Sequence, residues 1–142
     1  MDARIYVLGL SEASEEPNGD EGFYSVGEYE YDPEKTVIEY PESKLTGMHG
    51  VSTKVTVLKD RVTVERTGPI ESTMLYVEGE KHFIIYSTPD GEFSMGIDTE
   101  SIENRLNERG GELKIKYYID FQGTMPVETR ILIRVSTGGE RL

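Results

Sequence analysis

Arg66 is the residue whose type and position most clearly allow chemistry. In its segment the apolar residues Val62 and Val64 alternate with polar ones, and Arg66 falls on their parity. Because alternate side chains of a strand share a face, the guanidinium should point into the interior that the valines occupy. A buried guanidinium needs an anionic partner. Three alternatives stay open: a ligand carboxylate or phosphate, an internal carboxylate at Glu39 or Glu42, or solvent at the end of the strand.

Hydroxyl and thioether side chains are the next candidates for contact with a ligand. We predict a ligand-binding set made of Arg66, Tyr86, Tyr118 and Met74. Fatty-acid-binding barrels hold a ligand carboxylate with an inward arginine and tyrosine. The comparison with this chain is an analogy only. The nine tyrosines, four phenylalanines and five methionines of the chain suit an adaptable pocket, but they fill ordinary cores equally well.

Residues for catalysis or metal binding are sparse. His49 and His82 are the only imidazoles, and neither has the spacing to other ligands that marks a metal site. The chain has no cysteine, which excludes a disulfide framework, thiol catalysis and cysteine-based zinc binding. We therefore expect no catalytic residue, no metal and no cofactor, and an enzyme is the last-ranked class.

Charge and composition restrict the partners and the location. The chain carries 15 basic and 27 acidic residues, a formal net charge of −12. Such a chain is repelled by phosphate backbones and anionic lipids, so we expect neither nucleic acid nor membrane as a partner. The first residues lack the pattern of a signal peptide, and no apolar stretch is long enough for a membrane helix. The expected location is the cytoplasm; the oligomeric state stays open.

The elements that must position Arg66 are strands. Ten short alternating segments lie between Arg4 and Val135, separated by turn signals. They predict an all-β fold: a closed, antiparallel, lipocalin-like barrel of eight to ten strands that forms one domain over residues 1–142, with a β-sandwich as the alternative. Closure removes exposed edges, so the first strand, Ala3–Leu10, should pair with the last, Val127–Ser136.

One short helix is predicted over residues 99–109. Thr99 or Ser101 would cap it, Ile102 and Leu106 share a face at four-residue spacing, and two glycines follow. Irregular structure is predicted for the acidic segment 12–22, for the loop 47–50 (a lid or a fixed turn) and for the tail 137–142.

Several short motifs, taken in order, resemble one family. They are Thr46-Gly47-Met48, Thr53, Arg66-Thr67-Gly68, Met74, Gly79, Tyr86-Ser87-Thr88-Pro89-Asp90-Gly91, Ile97-Asp98-Thr99 and Gly111-Glu112-Leu113. Together they resemble the YwiB-like family of bacterial proteins, over nearly the whole chain. The resemblance implies a calycin-type β-barrel of bacterial cytoplasmic origin and no established activity. Members often carry an aromatic residue where this chain has Asp90, so a site that used that ring would be altered here.

Two functions follow as hypotheses from these observations. In the first, the barrel is hollow and binds a small apolar or amphipathic anion anchored by Arg66. In the alternative, the barrel is solidly packed and its acidic surface meets a basic protein partner in the cytoplasm. The volume and lining of the interior distinguish the two.

Overall fold

Ten β-strands build the protein in the computed structural model, which describes residues 1–11, 22–42, 50–121 and 125–137, apart from the side chains at positions 10 and 11. The strands are β1 Asp2–Ser11, β2 Phe23–Glu30, β3 Lys35–Pro41, β4 Ser52–Leu58, β5 Val62–Thr67, β6 Ser72–Tyr76, β7 Lys81–Thr88, β8 Gly91–Asn107, β9 Gly110–Phe121 and β10 Val127–Thr137. Predictions for residues 12–21, for residues 43–49 (His49 among them) and for the tail beyond residue 137 lie outside the described residues.

All ten strands belong to one antiparallel sheet that curls into a nearly closed barrel. Their order is β6-β5-β4-β3-β2-β1-β10-β9-β8-β7. The two ends of the chain meet as predicted, because β1 pairs with β10 from Ala3 opposite Thr137 to Ser11 opposite Thr129. At the remaining seam, between β6 and β7, a single bridge joins Glu71 and Ser87 through two N–H···O bonds of 2.9 Å. One sheet, not two, excludes the sandwich.

The predicted helix over 99–109 is wrong. Residues up to Asn107 continue the long strand β8, which pairs with β9 and changes register by a bulge between Thr99 and Ser101. Residues four apart share a face in a strand as well as in a helix, so the spacing of Ile102 and Leu106 did not distinguish the two. Hydrogen bonding to β9 stabilises the strand here, because pairing with a neighbouring strand outweighs a weak local preference for helix.

The barrel has two different ends. The lower end carries the turns that follow β2, β4, β6 and β8, and the upper end carries the other connections. Tyr29 spans the lower end: it is 1% exposed, and its hydroxyl donates to the Asn107 carbonyl at 2.6 Å. Buried apolar side chains form the core around and above it, among them Ile5, Ile38, Val55, Val57, Val62, Ile97, Leu113 and Val135. The lower half therefore contains an apolar core, and at its mouth a space of about 490 Å³ lies open beside the charged turn Lys59-Asp60-Arg61.

Candidate functional site

Arg66 lies near the upper end of β5 and faces the interior. Its side chain is 16% exposed, and Nε lies 3.7 Å from Oε2 of Glu42, whose side chain is 2% exposed. The Thr53 hydroxyl donates to the same carboxylate oxygen at 2.5 Å. Of the two internal carboxylates that the sequence left open, Glu42 is the partner, while Glu39 lies exposed opposite Lys54.

The sheet register explains why these groups meet. Tyr40, Thr53, Arg66 and Ser72 lie opposite one another in successive strands, β3 to β6, and form one row across the sheet. Glu42 follows Tyr40 on the same parity, just past the end of β3. Its backbone N–H donates to the Val51 carbonyl at 2.8 Å, which extends the pairing beyond the strand and keeps the carboxylate inside.

The guanidinium is only partly satisfied by the residues that the structure describes. Its Nη1 lies 3.9 Å from the sulfur of Met74, to which the Tyr76 hydroxyl also donates at 3.1 Å. The buried Nε makes no hydrogen bond with a described atom. A thioether is a weak acceptor, and the contact with Glu42 is long for a hydrogen bond. Arg66 therefore keeps strong N–H donors for another acceptor.

Three phenols surround the ion pair. The rings of Tyr76 and Tyr117 meet edge to face, with centroids 4.9 Å apart. Burial raises the pKa of Tyr40, Tyr76 and Tyr117 above that of an ordinary phenol, although the charge of Arg66 acts in the opposite direction. The phenols are neutral at physiological pH, so Arg66 and Glu42 are the charged groups of this cluster.

A cavity of about 300 Å³ opens beside Arg66 in the upper half of the barrel. Most of its wall is apolar. Its lining consists of Val7, Gly9, Phe23, Tyr40, Glu42, Val55, Val64, Arg66, Ile115, Tyr117, Thr129, Ile131 and Ile133. Such a volume is at the lower limit of small-molecule pockets and equals the space of about ten waters. The upper half of the barrel therefore contains a largely apolar cavity beside Arg66.

The rim above this cavity is also apolar. Phe93 and Phe121 occupy inward-facing positions at the upper ends of β8 and β9, yet they are 43% and 49% exposed. Met125, in the connection that follows β9, is 83% exposed. Large apolar side chains at an opening are typical of surfaces that bind a partner or ligand.

The four predicted ligand-binding residues have different positions. Met74 lies beside Arg66 inside the barrel. Tyr86 is on β7, on the same parity as buried Ile84, and packs against the edge of the core. Tyr118 points to the outer face, where desolvation, followed by the charges of Glu100 and Glu128, raises the pKa of its phenol.

Sequence reasoning missed the phenols that do surround Arg66. In β9, Tyr117 and not Tyr118 shares the parity of the buried Leu113 and Ile115. The period-two alternation of the sequence could therefore have identified Tyr117 as the inward-facing phenol.

His82, the other imidazole that the sequence offered, lies at the lower end and forms an exposed 2.9 Å contact with Glu80.

Comparison with known proteins shows the family of this chain. A family model described as "Domain of unknown function (DUF1934)" matches residues 11–133. The chain belongs to the DUF1934 family. Among solved structures, that of the YwiB protein from Bacillus subtilis is similar: the TM-score is 0.69 at 23% identity, covering 96% of this chain and 92% of that one. This likeness shows the fold, and with the family match it confirms the resemblance to the YwiB-like family.

No curated protein matches this chain. In the part of the chain that the structure describes, no helix has the length and apolar character needed to cross a membrane.

Proposed function

We propose that this DUF1934 protein is a non-enzymatic barrel that binds a small amphipathic ligand, with an anionic group, in its upper cavity. The observation that carries the proposal is a cavity of about 300 Å³ beside Arg66, whose buried Nε makes no hydrogen bond with a described atom. The anionic group would accept hydrogen bonds from Arg66. The apolar part would lie against the aliphatic wall formed by Val64, Ile115 and Ile131.

Magnitudes favour an amphipathic ligand over a simple anion. Each charge-assisted hydrogen bond to Arg66 contributes about 1.5–3 kcal/mol. A ligand carboxylate about 5 Å from Glu42 is repelled by about 3 kcal/mol at an effective dielectric constant of about 20. The two effects nearly cancel for a small anion such as acetate. Burial of the alkyl chain, at about 0.8 kcal/mol per CH₂, must then supply most of the affinity.

Cavity size and chemistry support a short ligand and a binding role. Octanoate is a better match than a long fatty acid for a space that holds about ten waters. Around the cavity the described residues offer a guanidinium, a carboxylate and neutral phenols. The one hydroxyl described as donating to that carboxylate, on Thr53, is fully buried and does not line the cavity, so it is not placed to attack a ligand. The hollow upper half counts against the solidly packed interaction module. The absence of cysteine supports a cytoplasmic location.

The test is displacement of a fluorescent fatty-acid analogue by octanoate, measured on the full chain. We expect octanoate to displace the probe and acetate to fail. Gly9→Leu should abolish binding, because a Cβ at Gly9 meets no heavy atom within 4 Å and the leucine would project into the cavity. Lys54→Leu, which adds a leucine to the outer face of β4, is the matched control and should bind normally.

Charge is tested separately from volume. Arg66→Leu should weaken octanoate about tenfold or more while octanol, which has no charge, is little affected. Failure of the wild type to bind the probe, or binding that survives Gly9→Leu, would overturn the proposal. Every variant must first show a cooperative thermal transition, so that loss of binding is not loss of the fold.

A further inference from the structure

The upper cavity is bordered by two charged side chains of opposite sign. Arg66 and Glu42 both line it, and the other lining residues are apolar residues, tyrosines, a threonine and a glycine. Nε of Arg66 lies 3.7 Å from Oε2 of Glu42, so the positive and the negative group stand side by side in the wall. The described lining therefore carries no net charge, but it is strongly polarised at one point.

Burial makes the charge of Glu42 effective toward a group that enters the cavity. The Glu42 side chain is 2% exposed, so water and salt screen its charge poorly. The Thr53 hydroxyl donates to one of its carboxylate oxygens, and a carboxylate can accept about four hydrogen bonds. A lone ligand carboxylate at Arg66 is repelled by Glu42, whereas a carboxylate with an ammonium group beside it is attracted by both side chains.

We propose, on the basis of the ligand-binding function proposed above, that the upper cavity selects a free α-amino acid with an aliphatic side chain. The ligand carboxylate accepts hydrogen bonds from the Arg66 guanidinium, and the ligand ammonium donates to the Glu42 carboxylate. In an α-amino acid the ammonium is attached to the carbon next to the carboxylate, which matches two protein charges only 3.7 Å apart. The aliphatic side chain lies against the apolar wall of the cavity.

Other amphipathic head groups match this wall less well. A fatty acid has no donor for Glu42, and an alkylamine has no acceptor for Arg66. An amino acid with its ammonium at the far end of the chain carries both charges, but one of them would lie unpaired against apolar side chains, which is costly. The position of the ammonium, rather than the net charge of the ligand, therefore determines binding.

The test is isothermal titration calorimetry of the full chain at neutral pH with octanoate, 2-aminooctanoate and 8-aminooctanoate. The two amino acids are isomers with the same net charge and differ only in the position of the ammonium. We expect 2-aminooctanoate to bind about tenfold or more tightly than octanoate, because it adds a charge-assisted hydrogen bond. The 8-amino isomer should bind more weakly than octanoate. Equal affinities of the two isomers would overturn the inference.

Glu42→Gln tests the role of the carboxylate while it keeps an acceptor for the Thr53 hydroxyl. It should reverse the preference, because octanoate is no longer repelled and 2-aminooctanoate loses its ion pair. Glu39→Gln, the matched control, removes the same charge from the outer face of β3 and should leave both affinities within about twofold. A preference for 2-aminooctanoate that is as large in Glu42→Gln as in the wild type would contradict the inference. The comparison of ligands on the wild type decides it even if Glu42→Gln does not fold.

Failure of this inference is distinguishable from failure of the proposed function. Octanoate that binds as tightly as 2-aminooctanoate, and is lost in Gly9→Leu, would overturn the selection of amino acids and leave ligand binding in the cavity intact. Binding of none of the three ligands would overturn both.

Discussion

Removal of Arg66 should destabilise the protein through the carboxylate that it leaves behind. Loss of one partner of a buried ion pair costs about 3–5 kcal/mol. Here Nε and Oε2 of Glu42 are 3.7 Å apart and the Arg66 side chain is 16% exposed, so the interaction is weaker than in a tight buried pair. We expect Arg66→Leu to reduce the free energy of unfolding by about 2–3 kcal/mol, which lowers the melting temperature by about 5–10 °C in a chain of this size.

The assay is a double-mutant cycle by urea unfolding, with Arg66→Leu, Glu42→Gln and the double variant. Because the two side chains interact, the double variant should be more stable than the sum of the single effects predicts, by about 1–2 kcal/mol. The exposed pair Lys59–Glu34 is the control and should show no measurable coupling. Additive effects of Arg66→Leu and Glu42→Gln would refute a stabilising ion pair between the two side chains.

Three further predictions concern pH, backbone geometry and charge. Burial, followed by the neighbouring Tyr31, raises the pKa of Tyr29 from 10.0 to about 12. As the pH rises, the phenol therefore ionises in the unfolded chain before it ionises in the folded protein. The contribution of Tyr29 to the free energy of unfolding is intact below pH 10, and about 2–3 kcal/mol of it is lost between pH 10 and 12. Urea midpoints should fall over that range, and less steeply in Tyr29→Phe. Gly111→Ala should cost at least about 2 kcal/mol, because φ is 122° and the new Cβ collides with the Arg105 carbonyl. Gly79→Ala, at φ 81° in open space, should cost about 1 kcal/mol, and equal losses would disprove the collision. DNA-cellulose should retain none of the protein at physiological salt, and salt-sensitive retention would mean that a local basic patch on β9 and β10 (Lys114, Lys116, Arg130 and Arg134) binds phosphates.

Sequence patterns predicted the strands correctly where one face is buried and the other is exposed to solvent. In β9 and β10 the alternation is nearly unbroken, and the observed bounds of β10, Val127–Thr137, differ from the predicted Val127–Ser136 by one residue. The same patterns failed over residues 99–107, where Ile102 and Leu106 match both helix and strand. There, pairing with β9, the next strand of the chain, decides the outcome. Asn107 lies opposite Gly110 in this hairpin, so the two glycines that were expected to end a helix follow a tight turn instead.

The candidate site was predictable in part. Parity placed Arg66 inside, and it could also have selected Glu42 over Glu39, since Glu42 shares the alternation of buried Ile38 and Tyr40. The cavity could not be predicted, because its volume depends on how the twisted sheet curves and on which large side chains reach across the barrel. Tyr29 reaches across the barrel to Asn107 in this way, while no described heavy atom lies within 4 Å of a Cβ built at Gly9.

Ligand binding in the upper cavity is tested most directly by NMR of protein labelled with ¹³C at the methionine methyl groups, during titration with octanoate. Met74 lies beside Arg66, whereas Met1 lies exposed at the lower end. We expect a saturable shift of the Met74 methyl signal, an unchanged Met1 signal, and loss of the Met74 shift in Gly9→Leu. A Met74 signal that stays unchanged at saturating octanoate, or that shifts equally in Gly9→Leu, would contradict binding in the cavity.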